Sequence, residues 1–436
     1  MHFFFCLSLF ITLISASDAD YFLKYEHRHR HNQQEHKHGC REEQKPQKDK
    51  DQCSKDKGRL TEIEKSVADG NSNFALTLFK KLTTDSEKSP KQNVFFSPLS
   101  VSLTFSMISL GAKAETHKQI LECLSLKQAK IKENQVHETF KHLIQELNDP
   151  KNNYKLNIGN SLFIKENVEI LKSFENDLKN YYQADVVPTN FQDSEHAKQQ
   201  LNDYVQNKTH GKIKEIIQNL DSDTEMVLMN YVLYKGEWAE TFAPILTQRW
   251  DFSIDAVTKV KVPMMNRMGL YKTYKDKDRH CDVIELPYKN ETVMLVVVPE
   301  LGKINEVSLT WKDITHWSNN LINSFVDLYM PKFSVSSKLS LKDTLSHMGI
   351  TNIFTDNADL SGISEKVKLK VSKASHSAVL DVNEYGTEAV GATSANVIPT
   401  KLFPSFTVDR PFLLIIYNNA LDSFLFMGKV MDPTEN

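Results

Sequence analysis

Histidine supplies the densest group of metal-binding side chains in this chain. His27, His29, His31, His36 and His38 put five imidazoles in 12 residues, and in an extended segment the alternation of His27, His29 and His31 lets them converge on one ion. Neutral imidazole binds Zn2+ or Cu2+, so weak binding is expected at neutral pH, with loss as the rings protonate near ~6.5. Protonated, the same segment becomes a polycation able to hold a glycosaminoglycan; a solubilising extension whose histidines do nothing is the plain alternative. Nothing else in the sequence requires a cofactor. His137-Glu138 with His142 imitates a zinc-protease helix, but the second His falls at i+5 instead of i+4. That spacing sets the two rings about 140° apart around a helix, so two solvated histidines flanking a core stripe are expected. Asp221-Ser222-Asp223-Thr224-Glu225 has the carboxylate density of a calcium loop without its Gly at position 6 or its terminal Glu, which makes it a polar turn.

Covalent chemistry finds no local support. The chain has no G-x-S-x-G elbow, no G-x-x-x-x-G-K phosphate loop and no G-x-G-x-x-G, and its five cysteines form no C-x-x-C. A Ser/His/Asp triad assembles in space and stays open, although nothing local favours it. A net charge of -3 over 436 residues exerts no pull toward nucleic acid or an anionic membrane, so neither is an expected partner.

The elements that must position any site begin late. Phe3 to Ile14 is a short apolar run ending in Ser15-Ala16-Ser17, the pattern of a secretory signal over residues 1–17, although Met1-His2 lacks the usual positive charge. A membrane anchor needs ~20 apolar residues, and no such run occurs. A secreted, extracellular chain starting near Asp18 is therefore expected. Glu26 to Arg59 contains no Ala, Val, Ile, Leu, Met, Phe, Trp or Tyr and cannot offset its ordering entropy, so residues 18–60 read as a disordered, charged, His-rich extension. Cys40 and Cys53 lie in it and can pair with each other or elsewhere. Cys123 and Cys281 sit in apolar surroundings that suit buried thiols.

From Leu60 onward the periodicities are those of regular structure. Ser97-Pro98 caps and opens a helix running toward Gly111; Val136, Phe140, Leu143, Ile144 and Leu147 mark a second helix that ends before Asn148-Asp149-Pro150. Tyr154, Leu156 and Ile158 alternate as a strand, and strands dominate after residue 225, at Val227–Tyr234, Val293–Val298, Phe325–Met330, Leu413–Tyr417 and Phe424–Val430. Helices gather early and strands late, an α+β pattern in one domain over residues 61–436.

The segment Glu384 to Thr400 is unusual. Thr387, Ala389, Gly391, Thr393 and Ala395 form one small, uncharged face in steps of two, while Glu388, Val390, Ala392, Ser394 and Asn396 form a face that solvent accepts. Such a segment fits the middle of a sheet, and it also fits a loop with no large anchors. A sequence suited to both states is what a switch by strand insertion needs.

These residues resemble a known family. Phe406-Thr407-Val408-Asp409-Arg410-Pro411-Phe412-Leu413-Leu414, Leu425 to Val430 and Asp432-Pro433-Thr434 are similar to the C-terminal block of serpins, in particular the extracellular antitrypsin-like group. Asn93 to Ser100, Asn230-Tyr231, Lys235-Gly236-Glu237-Trp238, Val262 to Met265 and Ala358 to Gly362 extend the resemblance from about Asn73 to Thr434. It implies the serpin fold: three β-sheets, eight or nine helices and an exposed reactive loop near the C-terminus. It also implies a monomeric inhibitor that a chymotrypsin-like serine protease attacks as a suicide substrate. Glu384, Gly386, Thr387, Ala389 and Gly391 match the loop hinge, with Gly386 supplying backbone freedom and Thr387 entering the central sheet first. Tyr385 replaces a usually charged hinge residue, and Val390 stands where Ala is commoner. Ser97, Ser100, Asn230 and His376 match the polar cluster under the strands that part, and Trp238 the aromatic where insertion starts.

Family loop length places the reactive bond between Thr400 and Lys401, with cleavage after Lys401 the alternative. Some relatives carry a small apolar hormone or act as chaperones instead, and that second reading stays open. The sequons at Asn207 and Asn290 suit glycans in a secreted chain, the second matching a glycosylated family position. Lys127, Lys130, Lys132 and Lys141 lie where relatives bind heparin, but Glu133, Glu138 and Glu146 intervene, and a solvated helix face is expected.

Overall fold

The helix Pro98–Ser109 starts where the sequence provides a cap. Ser97 Oγ accepts a hydrogen bond from the Ser100 amide at 3.2 Å, and Pro98 takes the first helical position, where its missing N–H costs nothing. In the computed structural model, which describes residues 60–85, 92–126, 132–149, 154–289, 291–307, 309–387 and 403–435, there are eight α-helices among the described residues. They are α1 (Glu62–Asp85), α2 (Pro98–Ser109), α3 (Ala114–Cys123), α4 (Glu133–Leu147), α5 (Lys172–Asp177), α6 (Ser194–Lys208), α7 (Trp311–Asn320) and α8 (Leu341–His347). A π-helical turn, Leu178–Tyr182, continues α5.

The strands are β1 (Val94–Phe96), β2 (Tyr154–Lys165), β3 (Asp185–Thr189), β4 (Met226–Glu237), β5 (Gln248–Ser253), β6 (Lys259–Asp276), β7 (Cys281–Pro287) and β8 (Thr292–Pro299). After α7 come β9 (Ile322–Pro331), β10 (Phe333–Ser340), β11 (Lys373–Asn383), β12 (Gly386–Thr387), β13 (Ser405–Thr407), β14 (Phe412–Asn418) and β15 (Ser423–Val430). Hydrogen bonds join them into two networks. One has the order β10-β11-β12-β4-β2-β3; the other runs β1-β15-β14-β8-β7-β6-β9-β13, with β5 on β6. The second is compatible with two of the three expected sheets. The long β6 pairs with β5 near its start and with β7 near its end, so one strand serves both groups.

The six-stranded sheet is packed on both faces. Leu228, Val232 and Leu380 turn to the main core, whereas Val227, Met229, Tyr231, Leu233 and Val379 turn to a second cluster with Ala197, Leu201 and Val205 of α6. A strand buried on both sides needs apolar residues at successive positions, which explains the unbroken run Val227–Tyr234. Below the sheet, α2 is buried along its whole length, including Ser100, Ser102, Thr104 and Ser106.

One sequence expectation is corrected here. His137 is buried, with Nδ1 2.5 Å from the Tyr182 hydroxyl. It stands three residues before Phe140 and seven before Ile144, so the apolar stripe of α4 simply includes it. His142 is exposed and pairs with Glu64 at 2.9 Å, so the two rings do lie on different faces. Residues Asp221–Glu225 form a turn closed by the Thr224 amide on the Asp221 carbonyl at 3.1 Å.

Cys281 is buried and Cys123 partly buried, both as free thiols, and burial pushes each up to about 12. At pH 8 the thiolate fraction is then on the order of 10⁻⁴. We expect peptide mapping after brief treatment with a thiol reagent at pH 8 to find both unlabelled until denaturant is added; rapid labelling of either in the native protein would contradict this packing.

Candidate functional site

Three neighbouring strands of the six-stranded sheet each bury one polar residue at the same level. Asn160 on β2 stands opposite Asn230 on β4, and Asn230 stands opposite His376 on β11. An apolar sheet would leave these groups unsatisfied, and each such loss costs about 1–3 kcal/mol. Here α2 supplies the partners from below. The Ser97 amide donates to His376 Nε2 at 3.1 Å, which fixes the proton of the neutral ring on Nδ1. That nitrogen donates to Asn230 Oδ1 at 2.5 Å. Asn230 Nδ2 donates to Asn160 Oδ1 at 2.8 Å, Ser100 Oγ donates to Asn230 Oδ1 at 2.9 Å, and Thr104 Oγ1 donates to Asn160 Oδ1 at 2.6 Å. Complete burial lowers the His376 imidazole to about 3.

Above this row the sheet parts. β4 and β11 pair directly, in parallel, from Val227 opposite Lys373 to Leu233 opposite Val379. Beyond Leu233 and Val379 the gap between them holds β12, antiparallel to both: Thr387 faces Gly236 and Val382, and Gly386 faces Glu237 and Asn383. A tight turn through Glu384 and Tyr385 leads the chain from β11 back into this gap. Gly386 has φ of +145°, and a Cβ there would lie 2.1 Å from the Gly236 carbonyl oxygen, so only glycine fits.

Around the entry, aromatic and charged groups close on the backbone. Trp238 Nε1 donates to the Asn383 carbonyl at 3.0 Å, and the Trp238 amide donates to the Tyr385 carbonyl at 3.0 Å. The Trp238 ring stacks on Tyr288 at 4.4 Å, and the Tyr288 hydroxyl lies 2.9 Å from Thr387 Oγ1. The Glu384 carboxylate is buried between Lys332 Nζ at 3.0 Å and Thr247 Oγ1 at 2.9 Å. Burial works against its charge, yet hydrogen bonds from its own backbone amide, Lys332 and Thr247 hold the carboxyl below the usual range.

The structure thus brings Ser97, Ser100, Asn230 and His376 into one network, and gathers Trp238, Glu384, Gly386 and Thr387 at the top of the same strand pair. Thr387, expected as the first residue to enter the sheet, is already inside it and fully buried. Ala389, Gly391, Thr400, Lys401, Asn290, Cys40, Cys53 and the five tail histidines lie outside the described residues. Asn207 is exposed in the last turn of α6, while Thr209 of its sequon is buried against the Val205 carbonyl. Sequence reading missed Asn160, Thr104, Tyr288 and Lys332. A signal existed for Asn160, which interrupts the alternating apolar face Leu156, Ile158, Leu162, Ile164; Tyr288 and Lys332 meet the hinge only in space.

Proton linkage follows from His376. An unfolded imidazole titrates near ~6.5, whereas the folded one does so at about 3. Below the unfolded value the unfolded chain takes up a proton that the folded one refuses, so stability is lost as pH falls through this window, by ~1.4 kcal/mol per unit at full slope. Between pH 7 and pH 5 the wild type should lose about 2 kcal/mol more than His376→Gln in urea unfolding. Parallel pH dependences would show that the ring is not held neutral.

Comparison with known proteins gives the same architecture a family. A sequence profile described as "Serpin (serine protease inhibitor)" matches residues 69–433. The chain is 58% identical over 435 residues to serine protease inhibitor A6 of Xenopus laevis, covering 100% of this chain and 99% of that protein. It is 40% identical to alpha-1-antiproteinase 2 of Equus caballus, covering 85% and 88%. Among solved structures, human thyroxine-binding globulin with thyroxine superposes with a TM-score of 0.80 at 38% identity, covering 86% of this chain and 100% of the other. A sheet whose strands part over a buried polar row, carried on a sequence matched over residues 69–433, makes this chain a member of the serpin family.

Proposed function

We propose that the protein is a secreted inhibitor that traps a serine protease by giving up its loop as a substrate. The protease serine attacks the carbonyl of the residue before the reactive bond and forms an acyl-enzyme, and the new amino terminus leaves. With Thr400 before the bond the enzyme needs a small specificity pocket; cleavage after Lys401 suits a trypsin-like acidic one. The freed segment then enters the six-stranded sheet as a strand and displaces the tethered protease. The likeness to thyroxine-binding globulin keeps a carrier role as the second reading, although a carrier does not need the small inward loop face.

The observation that carries the proposal is the seat of Gly386 and Thr387. The first two residues of the loop strand already pair with both β4 and β11. Continuing the same register by six positions from Thr387 would bring Thr393 opposite both Asn230 and His376, because Gly236 and Val382 each lie six residues beyond those partners. The direct β4–β11 pairs would be exchanged for pairs to the new strand, and the Thr393 hydroxyl would enter the polar row where Asn230 and His376 separate. Both positions of the small face nearest the seat, Ala389 and Gly391, present no bulk or charge to that path.

Loop cleavage should therefore raise the melting temperature by about 10 °C or more, the effect of several kcal/mol of added strand pairing. Equal melting of intact and nicked protein would sink the insertion reading. Thr387→Arg should replace the SDS-resistant adduct by simple cleavage, since a guanidinium cannot occupy the fully buried site beside Tyr288. An adduct yield equal to wild type would show that insertion does not pass through this seat.

A further inference from the structure

Large apolar side chains exposed singly on a surface are ordinary, but two directly opposed on neighbouring strands are not. Leu270 on β6 and Phe325 on β9 are cross-strand partners on the outward face of their sheet, each 40% exposed. Their neighbours in the alternation, Val326 and Leu328, turn inward and are buried, so the exposure is not the fraying of a strand end. Phe403 joins them, its ring 4.5 Å from that of Phe325. Farther along the same face Trp250 stacks on Tyr329 at 4.5 Å and is 36% exposed. Between the two aromatic pairs, Asp327 accepts hydrogen bonds from Asn266 Nδ2 at 2.7 Å and the Tyr329 hydroxyl at 2.8 Å.

The chain itself says what reaches this face. The Asp327 amide donates to the Pro404 carbonyl at 3.0 Å, and β13 then pairs with β9 in parallel, so the segment leaving the reactive bond is pinned beside Phe325. Only Leu402 separates Lys401 from Phe403, a span of at most about 7 Å. A protease–inhibitor contact covers about 800 Å² on each partner, more than the few residues gripped in a cleft supply, so the remainder must come from the body next to the bond. Aromatic and large apolar side chains flanked by a satisfied polar group are the composition of such a contact centre.

We propose that the outward face of β6 and β9 around Leu270, Phe325 and Phe403 is a second docking surface for the serine protease that attacks the loop, one that sets how fast the enzyme engages and which enzyme does so. The proposal rests on the inhibitor reading for its partner. The protease would present an apolar rim beside its active-site cleft, and burial of the face would precede acylation without altering the later insertion step.

The test uses the full chain with trypsin and pancreatic elastase, which match the two readings of the reactive bond. Phe325→Ala removes one ring, and Leu270→Asp places a charge on the face while leaving both rings in place. For each variant the second-order rate constant for loss of intact inhibitor and the fraction of protease trapped are measured separately. We expect the rate constant to fall about 10-fold in both variants with the enzyme that cuts at Thr400 or Lys401, with trapped fraction and melting temperature unchanged. Rate constants within twofold of wild type in both variants overturn the surface, as does a rate loss matched by a lowered melting temperature, which would mark a structural role. If the wild type is cut but never trapped, the inhibitor reading fails while the rate comparison still reads the face, because the enzyme must dock in order to cut.

Discussion

The hydrogen bond between His376 and Asn230 joins the two strands whose separation would let a loop strand in. It is a polar contact in an otherwise apolar layer, at the middle of a sheet packed on both faces. Its stability is conditional. Every member has a partner supplied by α2 or β2, so the closed sheet carries no orphaned group at this level, and parting β4 from β11 would leave only the His376 Nδ1 proton without its acceptor. An apolar row would hold the strands together regardless of direction, and parting it would leave a void whose lining loses its contacts. A polar row can be re-formed around any incoming residue that brings a donor and an acceptor.

The entry differs in kind from the row below it. At the top, the chain between β11 and β12 is held through its backbone by Trp238 and Phe242, and through one carboxylate by Lys332 and Thr247. Backbone contacts are indifferent to side-chain identity, and the one position where identity is absolute is Gly386, which crosses the Gly236 carbonyl too closely for any Cβ. The geometry therefore separates two requirements. The turn must be made by glycine, and the residues after it need only be small on one face. Their own pairing with β4 and β11 is already begun by Thr387, whose hydroxyl meets Tyr288 in place of the water it leaves.

Much of this was legible in the sequence, for reasons that differ by element. The cap at Ser97-Pro98, the stripe of α4 and the apolar runs of β4, β8, β14 and β15 are local patterns with local causes, and each element appears where its pattern lies. The family resemblance pointed to Ser97, Ser100, Asn230 and His376 together, although nothing in the spacing of residues 97 and 376 says that they touch. What stayed hidden was either cooperative or distant. His137 stays hidden because a histidine at a helical position beside the apolar stripe reads as solvated, whereas the Tyr182 hydroxyl gives its Nδ1 a partner inside the core. Tyr288 and Lys332 reach the hinge from just past the ends of β7 and β9, far away in sequence, and only the fold brings them there.

The two polar sites also explain each other. If the row at Asn230 and His376 were the only barrier, the strands could part from above at any time, because the gap is already open at Thr387. If the seat at Gly386 were the only barrier, a single turn of backbone would have to hold back the whole loop. Three of the seven direct pairs, Leu233 with Val379, Val232 with Ala378 and Tyr231 with Ser377, lie between the seat and the row. Each further residue that entered would have to break one of these pairs before it formed its own, so the barrier is spread along the strand and rises to the level of His376, where the buried hydrogen bonds must be exchanged as well. A two-residue strand can therefore rest in the gap without drawing the remainder in after it, and the sheet is closed from Val379 downward, so any further entry would need slack in the loop as well as the loss of those pairs.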